Sequence, residues 1–204
     1  MRQSVFLLDP ENGRAVEAAL TPLDAKHLSD WANEWKPYHE RQISELRGAG
    51  LPAPEHAHWS WEEKAEAVKD LLSFQGLAIE CNGMTQGMVF FDTDTHVCRL
   101  PIHRGKNLVY VNFLETAPWN RTVLSRARRF SGVGSILIGS AIEASLDAGY
   151  NGRTGLHSLR QADAFYRDSC GMTDLGPDPD YFDLRYFEMS EAQATAVTTK
   201  GRRP

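Results

Sequence analysis

The sequence predicts an α/β fold, a mixed and mostly antiparallel sheet flanked by helices. Three observations predict it. Residues 74–100 read as an antiparallel meander folded about Asn82-Gly83, a dipeptide suited to the left-handed backbone of a two-residue hairpin turn. Leu108–Leu114, a basic loop holding Gly132 and Gly134, and an apolar helical pattern running to Gly149 read as strand, glycine loop and helix. Two helical patterns precede the meander, and an alternating run, Tyr181–Met189, closes the folded part.

Ser4–Leu8 and Ala15–Leu20 flank the turn signal Asp9-Pro10-Glu11-Asn12-Gly13 and predict a hairpin. Thr21 with Pro22 just inside it predicts the next helix start. Leu28, Trp31, Trp35 and Tyr38 fall on one helical face, and Pro37 predicts a kink or an end. Ile43 and Leu46 continue the pattern to Gly48-Ala49-Gly50-Leu51-Pro52. Trp59 and Trp61 then lead into a helix with Ser60, Glu62 and Glu63 in its first turn and Ala67, Val68, Leu71 and Leu72 on its expected buried side. His56 and His58 have no cysteine or carboxylate at ligand spacing, so no metal site is expected. Beyond Gly149, Gly155–Ser158 predicts a strand, Gln161–Asp168 a short helix ended by Gly171, and Pro177–Asp180 a turn.

The 204 residues, 42% hydrophobic and 24% charged, predict one domain over 1–189 and a loose polar tail over 190–204. A net charge of −5 argues against a nucleic-acid partner, while the cluster Arg121, Arg126, Arg128 and Arg129 suits a small anion. Cys81, Cys98 and Cys170 are odd in number and stand in no ligand pattern, which predicts reduced thiols and a cytoplasmic setting. No apolar run is long enough to span a membrane.

The loop Arg128-Arg129-Phe130-Ser131-Gly132-Val133-Gly134-Ser135 carries the chemistry. A helix N-terminus presents unpaired N–H groups and a partial positive charge, and glycines let a phosphate approach the backbone. The alternative is a loop whose glycines only allow a tight turn.

Arg129-Phe130-Ser131-Gly132-Val133-Gly134 matches the Arg/Gln-x-x-Gly-x-Gly/Ala signature, and Ala162-Asp163-Ala164-Phe165-Tyr166 followed by Gly171-Met172 matches a second motif. Over residues 75–188 the chain therefore resembles the GNAT superfamily of acyl-CoA N-acyltransferases. It departs from the family in a longer loop between Pro118 and Arg129, in Leu159 where an asparagine is usual, and in a longer spacer from Tyr166 to Gly171.

The resemblance implies a splayed pair of central parallel strands and backbone N–H groups from Arg129 to Ser135 holding the pyrophosphate of acetyl-CoA, with Arg128 and Arg129 adding charge. It implies a pantetheine arm along Leu114-Glu115-Thr116, a polarising N–H near Thr116, and Tyr166 protonating the departing thiolate. Tyr166 as a core aromatic is the alternative. Glu115 is the first base candidate, or else faces solvent or braces the arginine loop; Asp92 and Asp94 are alternatives for the base or for holding a cationic acceptor. Trp119 and Asn120 either wall the acceptor pocket or pin the long loop. The implied activity is direct acetyl transfer to an amine, in a small molecule or a protein, with aminoacyl-tRNA left open. The protein is expected as monomer or homodimer, with no metal and no membrane. A non-catalytic CoA-binding sensor or interaction module is the competing reading.

Overall fold

The computed structural model describes residues 2–121 and 127–201. The order is β1 (Gln3–Asp9), β2 (Arg14–Pro22), α1 (Ala25–Asp30), a π-turn (Trp31–Trp35), α2 (Lys36–Gly48), α3 (Trp61–Val68), β3 (Phe74–Cys81), β4 (Met84–Asp92) and β5 (Val109–Thr116). There follow α4 (Val133–Asp147), β6 (Thr154–Ser158), a second π-turn (Phe165–Ser169), β7 (Thr173–Asp178), β8 (Leu184–Met189) and α5 (Glu191–Gly201). The eight strands form one mixed sheet in the order β1-β2-β3-β4-β5-β6-β8-β7, with a parallel β5–β6 pair. The chain divides into two compact units.

The first unit is Met1–Leu71, Gly76–Val89 and Leu114–Leu137. β1 and β2 pair in register from Gln3↔Leu20 to Asp9↔Arg14, and β2 pairs onward with β3. Thr21 and Pro22, expected to start a helix, instead finish β2 opposite Ala78 and Leu77. Asp24 caps α1: its carboxylate accepts from the N–H groups of Lys26 and His27, and its own N–H donates to His27 Nδ1 at 3.0 Å. This reciprocal cap satisfies more helix-end groups than a threonine three residues earlier.

Pro37 neither ends nor breaks the helix. It lies in the first turn of α2, after a π-turn in which the Lys36 N–H reaches back to Trp31 O. Proline has no N–H to give and crowds the preceding turn, so a widened turn ahead of it relieves the conflict. The π-turn also aligns Trp31, Trp35, His39 and Ile43. Each step of four along an α-helix overshoots by about 40°, so three steps would fan these side chains over about 120°; the wide turn takes back part of that drift. α3 starts as expected at Ser60, whose Oγ accepts from Glu63 N. Its expected apolar face is not buried. The helix ends at Val68, Ala67, Leu71 and Leu72 are exposed, and Trp61 is the residue it buries.

Asn82 and Gly83 have φ of 52° and 76°, as the hairpin between β3 and β4 requires. Gly87 on β4 permits close packing of α4. A Cβ there would stand 2.5 Å from Val133 Cγ1 and 2.9 Å from Leu137 Cδ1.

The second unit is Leu72–Gln75, Phe90–Phe113 and Ile138–Pro204. Ile138, Ala141 and Ile142 are the buried side of α4 here, and Ser145 Oγ donates to Arg153 O at 2.8 Å. β6 pairs with β8, and β8 with β7. The turn expected over 177–180 falls at Pro179–Tyr181, and β7 ahead of it is a strand that was not expected. Its Leu175-Gly176-Pro177 sits at a register shift on the sheet's edge, where proline's missing N–H costs no ladder bond. Within the segment expected to be loose, Glu191–Gly201 is helical: Ser190 Oγ caps it by accepting from Gln193 N, and Ala194 is buried against Gly152. Cys81, Cys98 and Cys170 are free and buried. Among the described residues no helix is long and apolar enough to cross a membrane.

Candidate active site

The glycine loop enters α4 through Gly132, whose φ of 92° is open to glycine and strained for other residues. A Cβ at Gly132 would meet nothing within 4 Å, so the space above the helix start is clear. The N–H groups expected to form a cradle divide into two sets. Arg129 N donates to Trp119 O at 3.1 Å, Phe130 N to Asn120 Oδ1 at 2.9 Å and Ser131 N to Leu8 O at 2.8 Å. These three hold the loop and are not available to a phosphate, which corrects the reading of 129–131 as donors. The first helical bond runs from Ile136 N to Gly132 O, so Gly132, Val133, Gly134 and Ser135 form the helix start whose N–H groups have no intrahelical acceptor. The Arg129 guanidinium lies 4.8 Å over the Trp119 ring, and Arg128 is exposed. Arg126, part of the expected basic cluster, lies outside the described residues.

Registered pairing of β5 with β6 covers Val109–Val111 opposite Thr154–Leu156, and β5 continues to Thr116. The Ala117 N–H donates to Gln86 O on β4 at 2.9 Å. Backbone groups alternate along a strand, so the Thr116 N–H faces away from β4. Its carbonyl accepts from Arg121 Nε at 2.9 Å.

The side chain of Glu115 is buried in a polar knot. One carboxylate oxygen accepts from the indole N–H of Trp61, the other from Arg121 Nη2 at 2.6 Å. Arg121 Nη1 also meets His56 Nε2. Burial first, and then the Arg121 charge, push the His56 pKa down to about 2, so this ring is neutral. Arg121 thus braces the strand end and the loop after α2; the sequence placed it only in the anion cluster.

These groups border a cavity of about 320 Å³ within the first unit. Trp31, Trp35, His39 and Ile43 supply one wall, Trp59 and His56 another, and Glu115 and Pro118 the strand-end side. Exposed Glu40, Glu62 and Glu63 also line it, against Lys36 as the lining lysine, which favours a cation. The His39 ring stacks on His56 with centroids 4.9 Å apart. His39 escaped the sequence reading; the signal for it was its spacing of four from both Trp35 and Ile43.

Trp119 and Asn120 are both buried and tie the loop down. Trp119 Nε1 and Asn120 Nδ2 donate to Gln86 Oε1 at 2.9 and 3.1 Å, and the Trp119 ring meets Trp35 and Tyr38 edge to face. In the second unit, Asp92 engages its own turn, accepting from Asp94 N at 3.1 Å and from the Thr95 hydroxyl, while Asp94 is exposed. Tyr166 is buried on its π-turn, 5.9 Å from the Phe187 ring, and burial raises its pKa, keeping the phenol protonated. Phe165 is half-buried. Among the described residues no group of three or more His, Cys, Asp or Glu side chains is placed to hold a metal.

No protein-family model and no curated protein matches the sequence. Solved structures do match the fold. PaiA N-acetyltransferase from Thermoplasma acidophilum, in complex with coenzyme A, aligns with a TM-score of 0.52 at 13% identity over 85% of this chain and 98% of its own. The GNAT domain of S. lividans PAT aligns with a TM-score of 0.54 at 13% identity over 92% of this chain and 96% of its own. YncA from Salmonella typhimurium, with acetyl-CoA, aligns with a TM-score of 0.50 at 17% identity over 85% of this chain and 94% of its own. This chain has the GNAT acyltransferase fold.

Proposed function

We propose that this protein is an acyl-CoA-dependent N-acyltransferase that moves an acetyl group from acetyl-CoA directly to an amine. The observation that carries the reading is the start of α4: a left-handed glycine, a clear space above it and four consecutive N–H groups without intrahelical acceptors, at Gly132–Ser135. A diphosphate fits this donor set, and Arg128 and Arg129 add positive charge beside it. The pantetheine arm is assigned to β5 along Leu114-Glu115-Thr116, where the outward Thr116 N–H would polarise the thioester carbonyl. Tyr166, kept protonated by burial, is assigned the proton that the leaving thiolate needs.

The acceptor is assigned to the cavity beside Glu115. Its volume suits a small molecule, its tryptophans suit an apolar body, and its acidic rim suits an ammonium. Two acids of the second unit, Asp92 and Asp94, are not needed in this assignment.

Acetyl-CoA at about 100 times its dissociation constant should add about 2.7 kcal/mol of stability, read as a rise in melting temperature. Pantetheine without phosphate should give a much smaller rise. A melting temperature indifferent to acetyl-CoA would remove the basis of the proposal; binding without transfer to any of a panel of amines would favour the sensor reading instead.

A further inference from the structure

We propose that His39 is the general base of this transfer, taking the acceptor's proton on its imidazole ring. The assignment rests on the acyltransferase reading and adds the residue that activates the amine.

His39 is on α2, on the tryptophan-lined wall of the cavity, and its Nε2 is buried with no hydrogen-bond partner among the described residues. A buried ring nitrogen left unpaired costs about 1–3 kcal/mol, so it calls for a reason. The other buried basic groups on the cavity, Glu115 and His56, are engaged, while Glu40, Glu62 and Glu63 are exposed on its rim. Both Glu115 oxygens accept hydrogen bonds, from Trp61 and Arg121, and His56 Nε2 faces Arg121. His58 is exposed.

Burial lowers the His39 pKa from its ordinary value, and the Arg121 charge lowers it further, against smaller opposing pulls from Glu115 and Glu40. Lys36, Glu62, Glu63 and the stacked His56 complete the titratable surroundings. The neutral ring therefore prevails at pH 7, with one nitrogen lone pair free to accept a proton.

The step balances. An ammonium acceptor gives one proton to the His39 ring, and the freed nitrogen lone pair forms a bond to the thioester carbonyl carbon. The tetrahedral oxyanion collapses, the C–S bond breaks and its electron pair leaves on the thiolate. The second amine proton passes to the thiolate, and the His39 imidazolium releases its proton to solvent. An amide, free CoA thiol and one proton result.

The test uses the full chain and its His39→Ala and His39→Gln variants, with acetyl-CoA and the probes benzylamine, tryptamine and putrescine. Both variants should keep the acetyl-CoA-dependent rise in melting temperature. Turnover should fall about 10²–10⁴-fold, the acidic limb of the rate–pH profile should vanish, and free imidazole should restore part of the His39→Ala rate. Wild-type turnover in the variants, or a loss that imidazole does not relieve and that leaves the limb in place, would overturn the assignment alone. A wild type that acetylates none of the amines overturns the acyltransferase reading with it. Should both variants fail to fold, ring NMR of wild-type His39 decides: titration below the ordinary histidine value and a shift on adding tryptamine support the role, and indifference to the amine overturns it.

Discussion

Each unit of the molecule holds a half-hidden histidine, and the two differ in what their ring nitrogens do. In the second unit His157 is fully engaged. Its Nδ1 meets the Tyr110 hydroxyl at 2.5 Å and its Nε2 meets Asp178 Oδ2 at 2.9 Å. Tyr181 stacks on the ring at 3.9 Å, and Arg99 pairs with the same aspartate. In the first unit the His39 ring lines a cavity, and its buried Nε2 has no partner among the described residues. Burial lowers the proton affinity of both rings, so the pKa direction does not tell them apart. The unfinished hydrogen bonding does: a histidine that braces a fold has both nitrogens occupied, and one that works has a nitrogen to offer.

The largest expected effect breaks the braced side. His157→Ala should lose about 2–4 kcal/mol of stability, because it opens a cavity and strands the buried Tyr110 hydroxyl and Asp178 carboxylate. His39→Ala should lose at most about 1 kcal/mol, and urea unfolding of the two variants compares them directly. The braced cluster also has a pH signature. Arg99 and His157 hold the Asp178 carboxyl down at about 2. A depressed carboxylate contributes stability that is complete above its unfolded pKa of about 3.9 and disappears as the pH falls towards 2, so Asp178→Asn should flatten the acid side of the unfolding curve.

Next in size comes Tyr166→Phe, which asks whether a buried group of the second unit works rather than braces. Turnover should fall at least about tenfold while acetyl-CoA affinity and melting temperature stay nearly unchanged, since the phenol acts only as the C–S bond breaks. Full activity would place Tyr166 among the packing residues. Glu115→Gln should have the smallest effect. With His39 as base, it should slow turnover only a few-fold through the loosened Trp61–Arg121 knot and leave the acidic limb in place; loss of that limb would return the base to Glu115.

Features that depend on neighbouring residues could be read from the sequence, and those that depend on distant ones could not. The Asn82-Gly83 hairpin, the glycine entry to α4 and the opening hairpin each follow from a local backbone requirement that a few residues announce. The helix start at Asp24 was hidden because Thr21-Pro22 offers an equally good local signal, overridden by β2 pairing to β3. β7 was hidden because Gly176 and Pro177 argue against a strand unless it is known to lie at an edge. In the candidate site, the glycines and Tyr166 were legible as motifs. For Glu115, bracing of the arginine loop was one of the readings the sequence left open and Arg121 meets it, whereas Trp61 was not legible as a partner because it comes from far along the chain. His39 was obscured by Pro37, which argued for a break where the helix continues.

The π-turn at Trp31–Trp35 gives this helical segment an unequal tolerance to changes in length. A π-turn is one residue more than an α-helix needs at that point, absorbed without altering the phase of the downstream helix. Removing one residue from 32–34 therefore returns the turn to ordinary α-helix and leaves α2 facing as it does now. Removing one residue after the turn, between Lys36 and Tyr38, has no such slack to draw on. It would rotate the earlier residues against the later ones by about 100° and part Trp31 and Trp35 from the wall that His39 and Ile43 share with them.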